Sequence, residues 1–159
     1  MAEYPFSPPP SGVTADRWQS AVRSVREYCG WHIAPVLTET VVLDGPGCDI
    51  LTLPTQCLVG IEDVINDGSP VDVASGDWSR AGIVRGRWTD KLRGVTTAIT
   101  HGYEDWPADL LGVLVEIATE SGQAPVSQVT NRAYQLSFDV KSEAERRRGV
   151  IEDYRLMVV

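Results

Sequence analysis

The strand-forming stretches of this chain fall in one uninterrupted block. From Thr38 to Tyr103 the sequence runs in short β-rich segments. Before the block, Trp18, Val22, Val25 and Cys29 recur at helical spacing. After it, Leu110, Leu111, Leu114, Val115, Ile117 and Ala118 form a second, wider stripe, which predicts the most buried helix. Helices that flank the strands, and do not alternate with them, argue against a doubly wound parallel sheet. They predict an α+β fold with an antiparallel β unit.

Within the block, Val41 to Leu43, Ile50 to Leu53, Leu58 to Ile65, Gly82 to Arg85 and Val95 to Thr100 read as strands. Gly45-Pro46-Gly47 separates the first two. Asp67-Gly68 signals a hairpin, because both residues tolerate positive φ. Pro70 places the returning strand on an edge. Val95, Thr97 and Ile99 share one face. Glu62 and Asp63 are strand neighbours, so their carboxylates point to opposite faces unless a bulge intervenes.

Thr14 is placed to cap the first helix and Asp16 suits its positive end, while Gly30 closes it and Pro35 lies beyond. Pro107 opens the second helix, and Gly122 and Pro125 stop it. Residues 126–140 are polar, with a strand read at Tyr134 to Phe138. Ser142 and Glu145 match a capping box that starts a third helix, with Ile151 and Tyr154 facing inward. The reading is one domain over residues 14–155, with helices near 14–30, 107–121 and 142–155 and a β-rich insertion over 38–103. Residues 1–13 carry Pro5, Pro8, Pro9 and Pro10 and form either an extended arm or a disordered terminus. Residues 156–159 are an apolar tail that folds back or docks on a partner.

Composition narrows the function classes. With 14 Lys+Arg against 22 Asp+Glu the net charge is −8, which disfavours grasping of duplex DNA by the whole surface. No apolar run approaches the ~20 residues of a spanning helix, so a soluble protein is expected. The start lacks the basic and apolar regions of a secretory signal. Cys29, Cys48 and Cys57 form no CxxC pair and suggest intracellular thiols.

The chain has no GxGxxG, Walker loop, HExxH or GxSxG motif. His32 and His101 have no motif partners. His101, Glu104 and Asp105 have metal-ligand chemistry, but acids ahead of a Pro-started helix are more simply cap and dipole groups. No catalytic, metal or cofactor site is expected. The charge order is more informative. Glu62, Asp63, Asp67, Asp72 and Asp77 are followed by Arg80, Arg85, Arg87, Lys91 and Arg93, with only Asp90 opposing. The bland reading is a solvated edge. The sharper one is a heterologous contact between copies. Trp18 reads as core, while Trp78 and Trp88 read as local packing or as interface anchors.

A set of ordered fragments carries a family likeness. They are Tyr28-Cys29-Gly30-Trp31-His32-Ile33-Ala34-Pro35, Leu43-Asp44-Gly45-Pro46-Gly47, Leu51-Thr52-Leu53-Pro54-Thr55 and Asp77-Trp78-Ser79-Arg80-Ala81-Gly82. Trp88 to Val95, Thr100 to Asp109 and Asp153-Tyr154-Arg155-Leu156 complete the set. In these the chain resembles the head-to-tail connector proteins (adaptors) of long-tailed actinobacterial phages.

The resemblance implies a small helical bundle with an inserted β element. It implies a non-enzymatic virion protein of the neck, assembled in the host cytoplasm. Such adaptors form a ring, usually dodecameric, under the portal protein. The ring extends the channel through which genomic DNA passes and receives a stopper or tail-completion protein. Cofactors and membrane are not implied. By position, the portal-binding segment is Tyr154, Arg155, Leu156, Met157, Val158 and Val159. The two charge runs are the expected intersubunit or channel surfaces. Many family members begin with additional helices where this chain has its Pro-rich arm, so three main helices are expected here. The alternatives are a stopper or tail-completion protein of the same neck and, remotely, a hydrolase using His101 with Glu104 or Asp105.

Overall fold

The computed structural model describes residues 7–74, 76–120 and 133–156, and of residues 133–142 the backbone only. The helices are α1 (Ala15–Cys29), α2 (Ala108–Glu120) and α3 (Ala133–Asp153). The strands are β1 (Leu37–Leu43), β2 (Ile50–Thr52), β3 (Leu58–Asn66), β4 (Ser69–Pro70), β5 (Ile83–Arg85) and β6 (Val95–His101). The fold is α+β. The chain divides into a helical unit, Met1–Gly30 with Trp106–Val159, and a β unit, Trp31–Asp105.

In the β unit, a four-stranded antiparallel sheet has the order β1-β6-β3-β4, and β2 and β5 form a second antiparallel pair. β6 alternates strictly, with Val95, Thr97, Ile99 and His101 buried. Val95 and Ile99 join Leu51, Leu53, Leu58, Val64, Val84 and Trp88 in one cluster. Each fully buried side chain of this kind contributes about 1.5–3 kcal/mol. The hairpin signal is realised: Asn66 faces Ser69 across Asp67 (φ 52°) and Gly68 (φ 76°), the geometry of a type I′ turn. A bulge does intervene in β3, where the register shifts between Glu62 and Ile65 and Asp63 takes φ 50°. Both carboxylates are exposed there, and Val64 keeps its place in the core.

In the helical unit, α1 buries Trp18, Ala21, Val22, Val25 and Cys29. Thr14 occupies the N-cap position with extended backbone, but its side chain makes no capping bond. Gly30 (φ 82°) ends the helix and donates its N–H to Arg26 O at 2.9 Å. α2 buries Leu110, Val113, Leu114 and Ala118. Trp106 packs edge-on against Trp18 at 6.4 Å, and the Arg26 guanidinium lies 5.6 Å from the Trp106 ring centroid. The two indoles hold the start of the described chain. Trp18 Nε1 donates to Ser7 O at 2.9 Å and Trp106 Nε1 to Ser7 Oγ at 3.1 Å. The arm is therefore anchored at Ser7, and residues 1–6 lie outside the described residues.

The third helix differs from expectation. It begins at Ala133, so Ser142 and Glu145 lie inside it and do not cap it. The stretch Tyr134 to Phe138 is helical, not a strand. No Pro or Gly interrupts residues 126–148, and Ala, Gln, Leu, Lys, Glu and Arg in this stretch favour helix. Gly149 interrupts the pattern as expected, and a Cβ added there meets nothing within 4 Å. Gly149→Ala should raise stability by about 0.5–1 kcal/mol through the helix preference of alanine. Thermal unfolding of the two proteins checks this, with a higher Tm expected for the variant.

Candidate assembly surfaces and a buried histidine pair

The described end of the chain lies on its own helical unit. Leu156 N donates to Cys29 O at 2.9 Å, and its side chain covers Gly30. Tyr154 Oη donates to the Asp109 carboxylate at 2.8 Å. Arg155 lies 5.2 Å from the Tyr28 ring centroid, and its Nη1 is 3.6 Å from Glu152. Tyr28 Oη donates to the Glu152 carboxylate, which holds that carboxyl below its usual range, with Arg155 and Arg148 adding to the effect. Cys29 donates to Ile151 O, and burial pushes its thiol up to about 11, so it is a packing group and not a nucleophile. Tyr154 and Leu156 are half-buried and Arg155 is exposed, while Met157, Val158 and Val159 lie outside the described residues.

The charge runs do not form separate patches. The fold threads the basic run back past the acidic one. Asp67 pairs with Lys91, and Asp67 N donates to Gly94 O. Arg85 N donates to Asp77 O at 2.7 Å, so these two residues are neighbours. Asn66 joins the two runs, donating to Arg87 O and accepting from Thr89 N. Arg80 is tied down by Cys57 Sγ at 3.3 Å and lies 5.9 Å from the Tyr103 ring centroid. Arg93 takes φ 54°, with its N–H bonded to Asp44. Glu62, Asp63, Asp72, Asp77, Arg85, Arg87 and Arg93 are exposed, with no ion pair among the described residues. Trp88 is core, donating Nε1 to Val84 O, and Trp78 packs against the same cluster.

Sequence reasoning missed the ion cluster between α2 and α3. Arg147 bonds Glu116 and Glu120, both at 2.6 Å, and Glu143 at 3.2 Å. Arg146 adds a bond to Glu116 at 2.8 Å. Hydrogen bonds to Glu120 and the other carboxylates hold the Arg147 guanidinium firmly protonated. The available signal was the i,i+4 spacing of Glu143–Arg147 and of Glu116–Glu120.

The buried polar cluster of the β unit was missed as well. His32 and His101 pack edge to face with ring centroids 4.3 Å apart, both almost fully buried. His101 Nε2 meets Glu39 Oε1 at 2.9 Å, and His32 Nε2 meets Pro35 O at 2.8 Å. Gly102 (φ 107°) seals the site, since a Cβ there would lie 2.5 Å from His32 Nε2. His32, Glu39 and His101 each place a ligand-type atom within 4.8 Å of the others, the donor count a metal needs. Two of the imidazole nitrogens are already engaged by Glu39 and by Pro35 O, and the rings are packed against each other. The arrangement is that of a hydrogen-bonded core. Glu104 and Asp105 are exposed and stand apart from this cluster.

Burial pushes the His101 imidazole down to about 4. The folded group therefore stays neutral while the unfolded one, near 6.5, takes up a proton. Its contribution is complete above about pH 6.5 and is lost as pH falls toward 4. At about 1.36 kcal/mol per pKa unit the loss is on the order of 3 kcal/mol. Denaturant unfolding of the wild type and His101→Gln over this window checks the assignment. The wild type should lose stability more steeply than the variant on acidification.

No protein-family model and no curated protein matches the chain. Solved structures do. A chain in the neck of a native GTA particle, computed with C12 symmetry, is similar over 91% of this chain and 82% of its own, with TM-score 0.57 and 15% identity. A chain in the neck of an empty GTA particle, computed with C6 symmetry, is similar over 91% of this chain and 78% of its own, with TM-score 0.54 and 14% identity. At these identities the likeness is one of fold.

Proposed function

We propose that this chain is a structural protein of the neck that joins head to tail in a phage-like particle, and within the neck its adaptor. The observation that carries the reading is the fold shared with the two GTA neck chains over 91% of this chain. The symmetry of those necks supports a homo-oligomeric ring of copies, twelve by the native particle's C12. The ring sits beneath the portal protein, extends the DNA channel and receives a stopper or tail-completion protein. It is assembled in the host cytoplasm and performs no catalysis or cofactor chemistry.

The work is geometric. Each copy meets the next through two different surfaces, and a fixed rotation closes the ring. An acidic excess suits a channel wall, because it offers DNA few phosphate-neutralising contacts and lets it slide. The reading as a stopper has less support. A stopper needs a loop that reaches the channel axis, and the basic stretch is bound into the β unit through β5 and buried Trp88. The C-terminal segment from Tyr154 to Val159 is the portal-binding element. Its described part, Tyr154 to Leu156, rests on the ends of α1 and α2, where a partner would find it ordered.

Co-expression with the portal of the same genome, followed by native mass spectrometry, tests the reading. A portal ring carrying a matching number of added copies is expected. A bare portal with this chain free in solution would overturn it. Charge reversal at the two exposed cations, Arg85→Glu with Arg87→Glu, should cut the number of loaded copies at least about tenfold while leaving the circular dichroism unchanged.

A further inference from the structure

The two sides of the four-stranded sheet differ in how they treat a free edge. Beyond β3, the devices that discourage strand addition are all present. The bulge at Asp63 breaks the ladder, β4 is two residues long and ends in Pro70, and Glu62 and Asp63 are exposed. Leu58 N is bonded to Arg80 O, and Val64 O accepts from Val71 N. β1, at the opposite side, has none of these. Its seven residues pair with β6 in unbroken register from Leu37–His101 to Leu43–Val95. It holds no Pro, Gly, Lys or Arg and no bulge. Among the described residues β1 pairs with β6 alone. Its exposed face is Thr38, Thr40 and Val42, continued by Thr100, Ala98 and Thr96 on β6. A long, unbroken edge without cations or proline is a template for another strand.

β2 has an open side as well, since among the described residues it pairs only with β5. Its Ile50 is 50% exposed, and Ile83 beside Thr52 is 43% exposed. Arg85, opposite Ile50, and Arg87 bring cations without ion pairs among the described residues. β1 offers the apolar complement in exposed Val42, with exposed Val36 just ahead of the strand.

Pairing β1 with the β1 of another copy is two-fold, closes a dimer and stops. Pairing β1 with a different strand of the next copy repeats identically and can close a ring. Resting on the ring reading above, we propose that the open edge of β1 receives β2 of a neighbouring copy. The contact sets Val36 and Val42 beside Ile50, with Ile83 on the strand behind it. β2 is three residues long, so each contact adds few bonds. Copies then gather where a template raises their effective concentration.

Cys48, an exposed free thiol two residues before β2, makes the contact testable, and Cys29 and Cys57 are buried. Thr38→Cys, Thr40→Cys and Val42→Cys cover the outward positions of β1, because a disulfide forms only between Cα atoms within about 7 Å. Each full-length variant is loaded on the portal, oxidised mildly and run on a denaturing gel. At one of the three positions a ladder of dimers, trimers and larger multiples is expected, lost when Cys48→Ser is added. A loaded ring without cross-links at any position overturns the inference. So does a dimer that survives Cys48→Ser, the mark of two-fold β1 pairing. If the chain does not load on the portal, the adaptor reading falls by itself. The same oxidation of the concentrated chain alone then decides the contact: a Cys48-dependent ladder supports it and its absence overturns it.

Discussion

Strand β6 gives both of its edges to neighbours and one of its faces to the core, so its register sets that of β1 and β3. A slip of one residue would turn Val95, Thr97, Ile99 and His101 to the outside together. Thr97 is tolerated among apolar neighbours because its hydroxyl donates to Glu62 O at 2.9 Å. His101 is tolerated because Glu39, two residues along β1 from its partner Leu37, reaches its Nε2 diagonally. The bulge in β3 then absorbs the mismatch that a strict ladder would pass on to the Asp67-Gly68 hairpin. The placement of the charged loops follows, since the side-chain amide of Asn66, at the end of β3, donates to Arg87 O and accepts from Thr89 N.

What was legible in the sequence was what local chemistry decides. The stripe of α1, its closure at Gly30, the alternation of β6 and the hairpin at Asp67-Gly68 each rest on a few adjacent residues, and each is present as read. α3 was misread at its start because Tyr134, Leu136 and Phe138 alternate with polar residues, which is a strand's period. In a stretch without Pro or Gly, helix propensity over 21 residues outweighs three alternations. The histidine pair was illegible for a different reason. His32, Glu39 and His101 are brought together by the β1–β6 register, a pairing across 62 residues that no local pattern encodes. The Ser7 anchor has the same character, joining residues 11 and 99 positions away.

The charge runs carry the same lesson one level up. In sequence they read as one acidic and one basic patch, yet antiparallel return brings Lys91 to Asp67 and Arg85 beside Asp77. Part of the apparent complementarity is thereby spent within one chain. Arg80, Arg85, Arg87 and Arg93 are left without ion pairs among the described residues, as are Glu62, Asp63, Asp72 and Asp77.

The charge of the whole chain constrains how copies can associate. Each carries a net charge of −8, so at long range identical copies repel. Screening reduces this beyond about 8 Å at physiological salt, but it does not change the sign. A contact built chiefly from surface ion pairs would work against that field and weaken further with salt. A contact built from backbone hydrogen bonds and β-branched side chains acts only at short range and is indifferent to net charge. β1 is of the second type, since its exposed face is Thr38, Thr40 and Val42. Free cations then serve to set which surface of the neighbour is met, and the short-range contact holds it there.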